Sequence, residues 1–345
     1  MLNINRIGII MYGLLGDVLM RTPIIRTLKK YYKNSEIYAI VDPIGKSVLE
    51  NNPDIEHIIV ANRKKDNKLK YIANKIKIQY QLYTLNLDMI IDLYGGSSTK
   101  NMLKLAPSKY KVGYYDSKIW SKNIKFNKDF NISQFKNQYH LTNKLFPLIS
   151  FINFKANELN TRPFIYSDNN TDLNIKKYIE TFVEKKNNYY LISLGSGDLG
   201  KILELEKTYE IIKFIQEEYN LTPAIILNPG QEFLQEKLIK EYLIPNGIEF
   251  IELKPLSIKE IVSLMKYSEF IIVPDTGLYH IAVAVGIPIF SIFTYTNPKL
   301  VEPSSGKFKL CYKEIDEYDI FGLNKCTKEL DIKYLKQCFS NFYLN

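Results

Sequence analysis

Residues 6–23 read RIGIIMYGLLGDVLMRTP: an apolar run, a glycine-containing turn, and then a helix start at Asp17. The same order returns near the other end of the chain, where the apolar run 269–273 leads into PDTGLYHIA at residues 274–282. Helix starts of this kind present unpaired N–H groups and the positive end of a dipole, which favour anionic ligands. The two copies therefore predict a two-domain α/β enzyme with a nucleotide or sugar-phosphate ligand between its halves.

Between these two stretches, short runs rich in Ile, Val and Tyr alternate with helical patterns, which predicts right-handed βαβ units and parallel sheets. The Asn- and Asp-rich segment 153–172 is predicted to be the linker. It separates an N-terminal domain, residues 1–160, from a C-terminal domain, residues 161–345. Residues 133–152 are predicted to form one helix of the first domain, and 328–341 a final helix that is allowed to pack back onto it. We expect two doubly wound, Rossmann-like domains that face each other across a cleft, with ligands at the carboxyl ends of the strands.

The composition is that of a folded protein, with 345 residues, 46% hydrophobic and 24% charged. Apolar runs are too short to cross a bilayer. The run from Ile7 to Met20 resembles a signal peptide, but Gly16-Asp17 interrupts it, so a cytoplasmic location is expected. The spacing of the three cysteines fits neither a CxxC pair nor a zinc site, and so few thiols suit a reducing compartment.

The net charge of +9 comes mostly from lysine, which favours general attraction to anionic surfaces over base-specific contacts. No nucleic-acid-binding signature accompanies it, so nucleic acid is not expected as a partner. The densest basic block runs from Arg63 to Lys77 and carries Leu69, Ile72 and Ile76 at helical spacing. One interpretation is a helix lying on an anionic membrane or glycolipid. The preferred interpretation is a domain helix whose apolar stripe faces the core and whose lysines are solvated.

Asp17 has two interpretations that the sequence leaves open. A carboxylate at a helix start stays ionised, and it could be the base that takes the proton of a sugar hydroxyl. It could equally be a first-turn aspartate that complements the helix dipole. A dinucleotide-binding enzyme is disfavoured because the turn reads Gly13-x-x-Gly16-Asp17 and not GxGxxG, although Asp42 stands where a ribose-binding acid would.

The second half carries two further candidates. In the segment 195–201 three glycines allow a ligand to approach the backbone closely, and Lys201 offers a cation for a leaving phosphate. The N–H groups of 276–279 could hold a diphosphate, with His280 one turn further on. The alternatives are a flexible loop with a solvated lysine, an ordinary helix cap and a structural histidine.

Taken together, these residues resemble the bacterial lipopolysaccharide heptosyltransferases of glycosyltransferase family 9, over nearly the whole chain. GDVLMRTP at residues 16–23 is similar to that family's opening GDVL…TP, and DLYGG at 92–96 to its D-L-x-G-G. KVGY at 111–114 resembles its R-x-G-[FY], and His140 falls where the family often has a histidine that opens a helix.

The resemblance continues in the second half. Lys201 followed by Leu205-Glu206 resembles the family's K-x-W-P-x-E, and Gly230-Gln231-Glu232 resembles its G-x-E. The most specific match is DTGLYHIA at residues 275–282, which is similar to D-T-G-x-x-H-x-A.

The resemblance implies a GT-B type fold and direct, inverting transfer of heptose from ADP-L-glycero-D-manno-heptose to a lipopolysaccharide core acceptor. It implies Asp17 as the base, Lys201 on the departing diphosphate and Glu232 on the ribose. The full set of implied site residues comprises the catalytic Asp17 and Lys201, the donor-binding Gly195, Ser196, Glu232, Asp275, Thr276, Gly277 and His280, and the acceptor-side Gly16, Asp92, Gly95 and Gly96. Neither a metal nor a cofactor is expected. The implied partners are the nucleotide-sugar donor, an anionic glycolipid acceptor and, peripherally, the cytoplasmic face of the inner membrane.

The chain departs from the family pattern in two places. Leu203-Glu204 replaces the expected Trp-Pro, and Thr294 replaces a glycine in a region where the donor's base or sugar could lie. Two alternatives therefore stay open. One is a family relative that transfers another nucleotide-activated sugar to a glycan or a protein. The other is a nucleotide-sugar 2-epimerase of the same architecture, which would need further acid–base carboxylates that no motif here supplies.

Overall fold

The structure is a computed structural model, and it describes residues 2–63, 67–116, 118–181, 189–318, 324–326 and 329–344. The chain divides into two compact units, unit 1 (Met1–Ile165) and unit 2 (Tyr166–Asn345). Each unit is a layered α/β structure built on a six-stranded sheet.

Unit 1 alternates strands with helices. Its strands are β1 (Arg6–Ile10), β2 (Glu36–Val41), β3 (His57–Val60), β4 (Met89–Asp92), β5 (Tyr110–Tyr115) and β6 (Lys118–Lys122). Its helices are α1 (Leu15–Tyr31), α2 (Pro43–Leu49), α3 (Lys68–Thr84) and α4 (Ser97–Leu105). The sheet order is β3-β2-β1-β4-β5-β6, with β1 to β5 parallel and β6 antiparallel at the edge. Every residue of β4 is buried, as expected when helices cover both faces of a parallel sheet.

Unit 2 repeats this plan. Its strands are β7 (Tyr189–Ser193), β8 (Thr222–Ile226), β9 (Ile251–Glu252), β10 (Ile271–Pro274), β11 (Ile289–Ile292) and β12 (Phe308–Cys311), followed by a small antiparallel pair, β13 (Glu314–Tyr318) and β14 (Asn324–Cys326). Its helices are α5 (Asn169–Glu180), α6 (Leu205–Tyr219), α7 (Glu232–Leu238), α8 (Ile258–Lys266), α9 (Gly277–Val285) and α10 (Ile332–Leu344).

The sheet of unit 2 is entirely parallel, with the order β9-β8-β7-β10-β11-β12. Counted from the first strand of each unit, this order is the same as that of unit 1. In both sheets the order reverses beside the first strand, between β1 and β4 and between β7 and β10, which is the usual ligand-binding position of a doubly wound sheet. The two predicted doubly wound domains are thus confirmed.

An aromatic cluster fixes the last helix of unit 2. Phe339 and Phe342 of α10 are buried against Phe270 and Phe290 of the sheet, with ring centroids 5.3 to 5.7 Å apart. Helix α10 also packs on α6. The C-terminal end of the chain therefore contributes to the core of unit 2.

The predicted helix over 133–152 is wrong. Only short 3₁₀ turns form there, Ile132–Gln134 and Asn143–Ile149. Side chains compete for the backbone: His140 Nδ1 accepts the Thr142 N–H at 3.1 Å, and Pro147 has no N–H to donate. A second difference is the pair of edge strands β6 and β12, neither of which the sequence pattern indicated.

The preferred interpretation of the basic block is also wrong. It placed Leu69, Ile72 and Ile76 in the core, whereas all three are exposed on α3. The residues of α3 that are buried are Ile78 and Leu82, on the opposite face.

Candidate functional site

Except for Glu232, which follows β8, the predicted site residues lie in the loops and first helical turns that follow the two central strands of each sheet. Asp17 follows β1, and 92–96 follow β4. In unit 2, 195–201 follow β7, and 275–277 follow β10. Because parallel strands end at the same edge of a sheet, each unit gathers its own candidates at its own strand-order reversal.

Asp17 lies in the first turn of α1 and is half-buried. Its Oδ2 accepts the backbone N–H of Leu14 at 2.9 Å, which satisfies one of the free donors at the helix start. Gly13 permits this arrangement, since its φ is +136° and a Cβ there would lie 2.7 Å from Asp17 Oδ2. Among the described hydrogen bonds of the Asp17 side chain only Oδ2 is used, so Oδ1 is available to take a proton.

Asp17 opens onto a cleft of about 760 Å³ in unit 1. The charged residues of this cleft are the basic Arg21 and Lys144 and the acidic Asp17 and Asp116, and its apolar residues include Leu93, Ile119, Ile132, Leu141, Leu145 and Leu148. This lining is suited to a ligand that has both charged and apolar parts.

Arg21 lies one helical turn after Asp17, on the same face of α1. Its guanidinium donates to the Tyr12 carbonyl oxygen. Burial lowers the pKa of Arg21, and the charges of Asp17 and Asp92 oppose that shift. A half-buried arginine therefore lies one turn from the candidate base.

The start of α1 is held in place from two sides. Pro23 has no N–H for the Leu19 carbonyl, which instead accepts the Thr22 hydroxyl at 2.7 Å. Thr22 Oγ1 in turn accepts the Phe164 N–H at 3.1 Å, and the Thr142 hydroxyl donates to the Met20 carbonyl at 2.9 Å. This accounts for the Thr-Pro pair of the opening motif as an anchor for the helix that carries Asp17.

Asp92 is fully buried and orders the loop after β4. Its Oδ1 accepts the N–H groups of Tyr94 at 2.8 Å and Gly95 at 3.1 Å, and its Oδ2 accepts the Tyr115 hydroxyl at 2.5 Å. Gly95 has a φ of +76°, and a Cβ on it would lie 2.5 Å from the Tyr114 carbonyl oxygen. Asp92 thus shapes the loop after β4, and its carboxylate is already engaged.

Arg63 and Asp42 form a group beside this loop that was given no functional role from the sequence. Arg63 binds both oxygens of Asp42, at 2.7 and 2.6 Å, and Asp42 Oδ2 also accepts the Gly13 N–H at 2.9 Å. The hydrogen bonds with Asp42 raise the pKa of Arg63. The guanidinium lies 4.3 Å from the ring centre of Tyr12 and 4.9 Å from that of Tyr94. Asp42 is therefore occupied by an arginine, which does not suit the ribose-binding role of a dinucleotide fold.

In unit 2 the candidate site is organised by Asp275. Its Oδ2 accepts the Lys201 ammonium at 2.7 Å and the Thr296 hydroxyl, and His280 Nε2 lies 3.9 Å from its Oδ1. Burial would raise the pKa of Asp275, but the charges of Lys201 and His280 and the hydrogen bonds from Lys201 and Thr296 outweigh it and lower that pKa. The buried carboxylate thereby fixes Lys201 in place.

Thr276 and Gly277 begin helix α9 directly after this aspartate. The N–H groups of the first turn have no partners within the helix. The Thr276 hydroxyl oxygen is buried and has no hydrogen-bond partner among the described residues. The start of α9, with its free N–H groups and its positive dipole end, thus directly follows the aspartate that binds Lys201, which is an arrangement that binds anions.

The loop that carries Lys201 packs closely against its neighbours. A Cβ at Gly195 would lie 2.4 Å from Gln231 Oε1, and Gln231 donates to the Ser196 carbonyl at 2.6 Å. Thr294, where the family has a glycine, donates its hydroxyl to the Gly200 carbonyl at 2.8 Å. The departure at Thr294 therefore adds an anchor to the Lys201 loop.

Glu232, the predicted ribose contact, begins α7 and is exposed. Hydrogen bonds from its own N–H and from the Gly230 N–H lower the pKa of its carboxyl group. Glu232 is accordingly an ionised acceptor on the strand-end side of unit 2.

Three side chains at the candidate sites escaped the sequence reasoning. Arg21 could have been found from its position one turn after Asp17, and Arg63 from its place just beyond β3. Thr296 belongs to no motif, and only the folded structure brings it to Asp275.

The described ranges contain no group of three or more His, Cys, Asp or Glu side chains placed to hold a metal ion. Nor do they contain a helix that is both long and apolar enough to cross a membrane.

Comparison with known proteins adds the following. The sequence profile of glycosyltransferase family 9 (heptosyltransferase) matches residues 76–328, more than half of the chain. Lipopolysaccharide heptosyltransferase 1 of Campylobacter coli is 26% identical, over 97% of this chain and 99% of that protein. A glycosyltransferase family 9 structure from Veillonella parvula DSM 2008 superposes with a TM-score of 0.76 at 16% identity, covering 99% of this chain and 97% of that one. The E. coli ADP-heptose LPS heptosyltransferase II superposes with a TM-score of 0.73 at 14% identity, covering 98% of both chains.

Proposed function

The chain belongs to glycosyltransferase family 9, as its motifs predicted, and from this we propose that it transfers heptose from ADP-L-glycero-D-manno-heptose to a lipopolysaccharide core acceptor. The relative of 26% identity is a lipopolysaccharide heptosyltransferase, and one structure of the same fold is named for ADP-heptose. The acceptor in this proposal is an anionic glycolipid at the cytoplasmic face of the inner membrane, which the protein contacts peripherally.

The observation that carries the proposal is the group of anion-binding features at the start of α9. Lys201 is held by the buried Asp275, and the hydroxyl of Thr276, the next residue after Asp275, has no partner among the described residues. A diphosphate would receive charge from Lys201 and hydrogen bonds from Thr276 and from the first-turn N–H groups. In this proposal Asp275 acts on the donor through Lys201, His280 lies beside the diphosphate, and Glu232 binds the ribose.

The proposed reaction is a single displacement with inversion. Asp17 takes the proton of the acceptor hydroxyl as its oxygen forms a bond to the anomeric carbon. The bond from that carbon to the diphosphate oxygen breaks, and the electron pair leaves with ADP. Lys201 and the α9 start stabilise the charge that develops on the departing phosphate. Because these groups supply positive charge, we propose that the transfer needs no metal, and we expect it to continue in the presence of EDTA.

Donor choice is tested by thermal shift with ADP, UDP, GDP and CMP. A nucleotide at 100 times its Kd adds about 2.7 kcal/mol to the free energy of unfolding, which raises Tm by a few degrees. We expect ADP alone to give this shift, and Lys201→Ala and Thr276→Val to reduce it. Lys207→Ala removes a neighbouring lysine that pairs with Glu204 and serves as the control.

Transfer itself is measured as ADP release together with the mass of the product. A mass increase of the glycolipid by one heptose supports the proposal. A Tm shift with UDP or GDP in place of ADP would overturn the heptose assignment and favour another nucleotide sugar. The replacement of the family's glycine by Thr294 is compatible with such a donor. Isomerised donor with no transfer would instead indicate an epimerase.

A further inference from the structure

Helix α3 of unit 1 carries apolar residues on two opposite faces. Its inner face holds Ile78 and Leu82, which are 4% and 0% exposed, in the core between the sheet and the helix. Its outer face holds a stripe of five large apolar or aromatic residues: Leu69, Ile72, Ile76, Tyr80 and Tyr83. These five are between 43% and 79% exposed. An exposed stripe of this kind marks an interaction surface.

The stripe is continuous along the helix. Its members are spaced by three or four residues, so that they lie one above another over four turns of helix. The helix has 17 residues and is therefore about 25 Å long. The buried residues of α3 all lie on its inner face, so packing within the unit does not explain the outer stripe.

Lysines border the stripe on both sides. At 100° per residue, Lys70 and Lys77 lie on one flank, and Lys68 and Lys75 lie on the other. The helix contains no Asp or Glu, and none of its four lysines forms an ion pair with a described carboxylate. This surface, an apolar stripe with a row of positive charge on each side, is called the α3 face below.

We propose that the α3 face lies on an anionic phospholipid bilayer, with the helix axis parallel to the membrane plane. The apolar stripe enters the boundary between headgroups and acyl chains, and the two lysine rows reach anionic headgroups on either side. Tyr80 and Tyr83 suit that depth, because their rings are apolar and their hydroxyl groups stay in contact with water.

The charge pattern favours a lipid surface over a second copy of this chain. Two α3 faces packed together would place rows of lysine against each other with no acidic residue on the helix to compensate. An anionic bilayer instead supplies negative charge along the whole length of the stripe.

The position of α3 links this surface to the candidate acceptor side. Tyr71, Asn74 and Ile78, on the inner side of α3, line a small cavity with Tyr12 and Arg63. The inference deepens the proposed function and rests on it in one respect: a helix bound to the membrane would hold the acceptor half of the enzyme at the layer where a glycolipid acceptor lies.

Binding is measured by flotation of the full chain with vesicles of phosphatidylcholine alone or of phosphatidylcholine mixed with phosphatidylglycerol. We expect binding to the mixed vesicles only, and weaker binding as salt is added. The pair Lys70→Gln and Lys77→Gln should weaken binding roughly 25-fold, and the pair Ile72→Ser and Ile76→Ser about 10-fold or more.

Matched controls come from exposed residues of unit 2. Phe233→Ser removes an apolar side chain that is 58% exposed, and Lys237→Gln with Lys240→Gln removes two surface lysines that have acidic neighbours. Neither control should change flotation. Folding of each α3 variant is verified by its melting temperature and by its unchanged shift with nucleotide.

Three results would overturn the inference: equal binding to both vesicle types, flotation that the α3 variants do not change, or a dimer in solution that Ile72→Ser abolishes. The vesicles contain neither glycolipid nor donor, so failure here leaves the proposed transfer reaction untouched. Conversely, a protein that floats but transfers no heptose would leave the α3 face assigned and the proposed function rejected.

Discussion

At Asp275 one buried carboxylate joins two loops of unit 2, since it binds Lys201 from the loop after β7 and Thr296 from the loop after β11. Removing one partner of such a pair leaves a buried charge without compensation, which costs on the order of 3 kcal/mol. The pair thus contributes to the stability of unit 2 as well as to the proposed donor site.

This pairing predicts a pH dependence of stability. The pKa of Asp275 is lowered in the folded protein, so its contribution to the free energy of unfolding is fully present above its unfolded pKa of about 3.9. That contribution is lost as the pH falls through the folded pKa. We expect wild type to lose its Tm advantage over Asp275→Asn as the pH is lowered from 6 towards 3. A Tm difference that stays constant over this range would contradict the assignment.

The second prediction at the residue scale concerns Asp17. Asp17→Asn keeps the shape of the side chain but removes the base, and we expect transfer to fall about 10²- to 10⁴-fold with the ADP shift unchanged. Asp116→Asn is the control, because Asp116 lines the same cleft and pairs with Lys100. Equal losses in both variants would indicate a general effect of charge in the cleft and would exclude Asp17 as the base.

At the scale of elements, the loop 195–201 is held by Thr294. Thr294→Val keeps the volume but leaves the Gly200 carbonyl without its hydroxyl donor, and a lost hydrogen bond of this kind costs about 1 kcal/mol. We expect ADP to bind roughly 5-fold more weakly, as measured by calorimetry. Thr181→Val removes a similar hydroxyl-to-carbonyl bond on the exposed end of α5 and should leave ADP affinity unchanged.

The loop after β4 gives the next prediction. Gly95 and Gly306 both have positive φ, at +76° and +98°, but only a Cβ at Gly95 would meet a backbone atom within 4 Å. Both alanine variants bear the conformational strain, and Gly95→Ala bears the clash with Tyr114 as well. We expect Gly95→Ala to lower the free energy of unfolding by about 1 to 3 kcal/mol more than Gly306→Ala does in chemical denaturation. Equal losses would mean that the close approach at Gly95 is easily relieved.

The buried strands could be predicted from the sequence more readily than the segments at the surface, and the elements themselves show why. Buried strands such as Glu36–Val41 are runs of apolar residues whose length and flanking turns leave one assignment. The segment 133–152 mixes apolar and polar residues, and its fold depends on side chains such as His140 that bond the backbone, which helical spacing does not reveal. Helix α3 has two apolar faces. The helical spacing of the apolar residues on either face does not predict which face will pack against the sheet.

The residues of the candidate site likewise fall into those that could be predicted from the sequence and those that could not. The positions of Asp17, Lys201 and 275–277 could be predicted because each follows a recognisable strand and begins or precedes a helix. The partner Thr296 could not, since it is brought to Asp275 by the order of strands in the sheet.

At the scale of the whole molecule, the proposed function assigns the nucleotide-sugar donor to unit 2 and the acceptor to unit 1. If unit 2 alone binds the nucleotide, amide hydrogen exchange with ADP should slow at 195–201 and 275–282 and stay unchanged at 13–21 and 92–99. Backbone N–H groups that bind a ligand exchange their hydrogens more slowly, because the ligand suppresses the local opening that exchange requires. Exchange measured by mass spectrometry with UDP in place of ADP is the control. Slowing at 13–21 by ADP alone would contradict this division.

Each unit is also one uninterrupted stretch of chain, with the boundary at residues 165 and 166. Every strand of the first sheet has therefore left the ribosome before synthesis of unit 2 has advanced far. At roughly 5 to 20 residues per second, the second unit takes about 9 to 36 seconds to synthesise, which is long compared with the folding of many domains. Unit 1 can thus fold first, and nascent chains would carry the α3 face, with its exposed apolar stripe, while the donor half is still being translated.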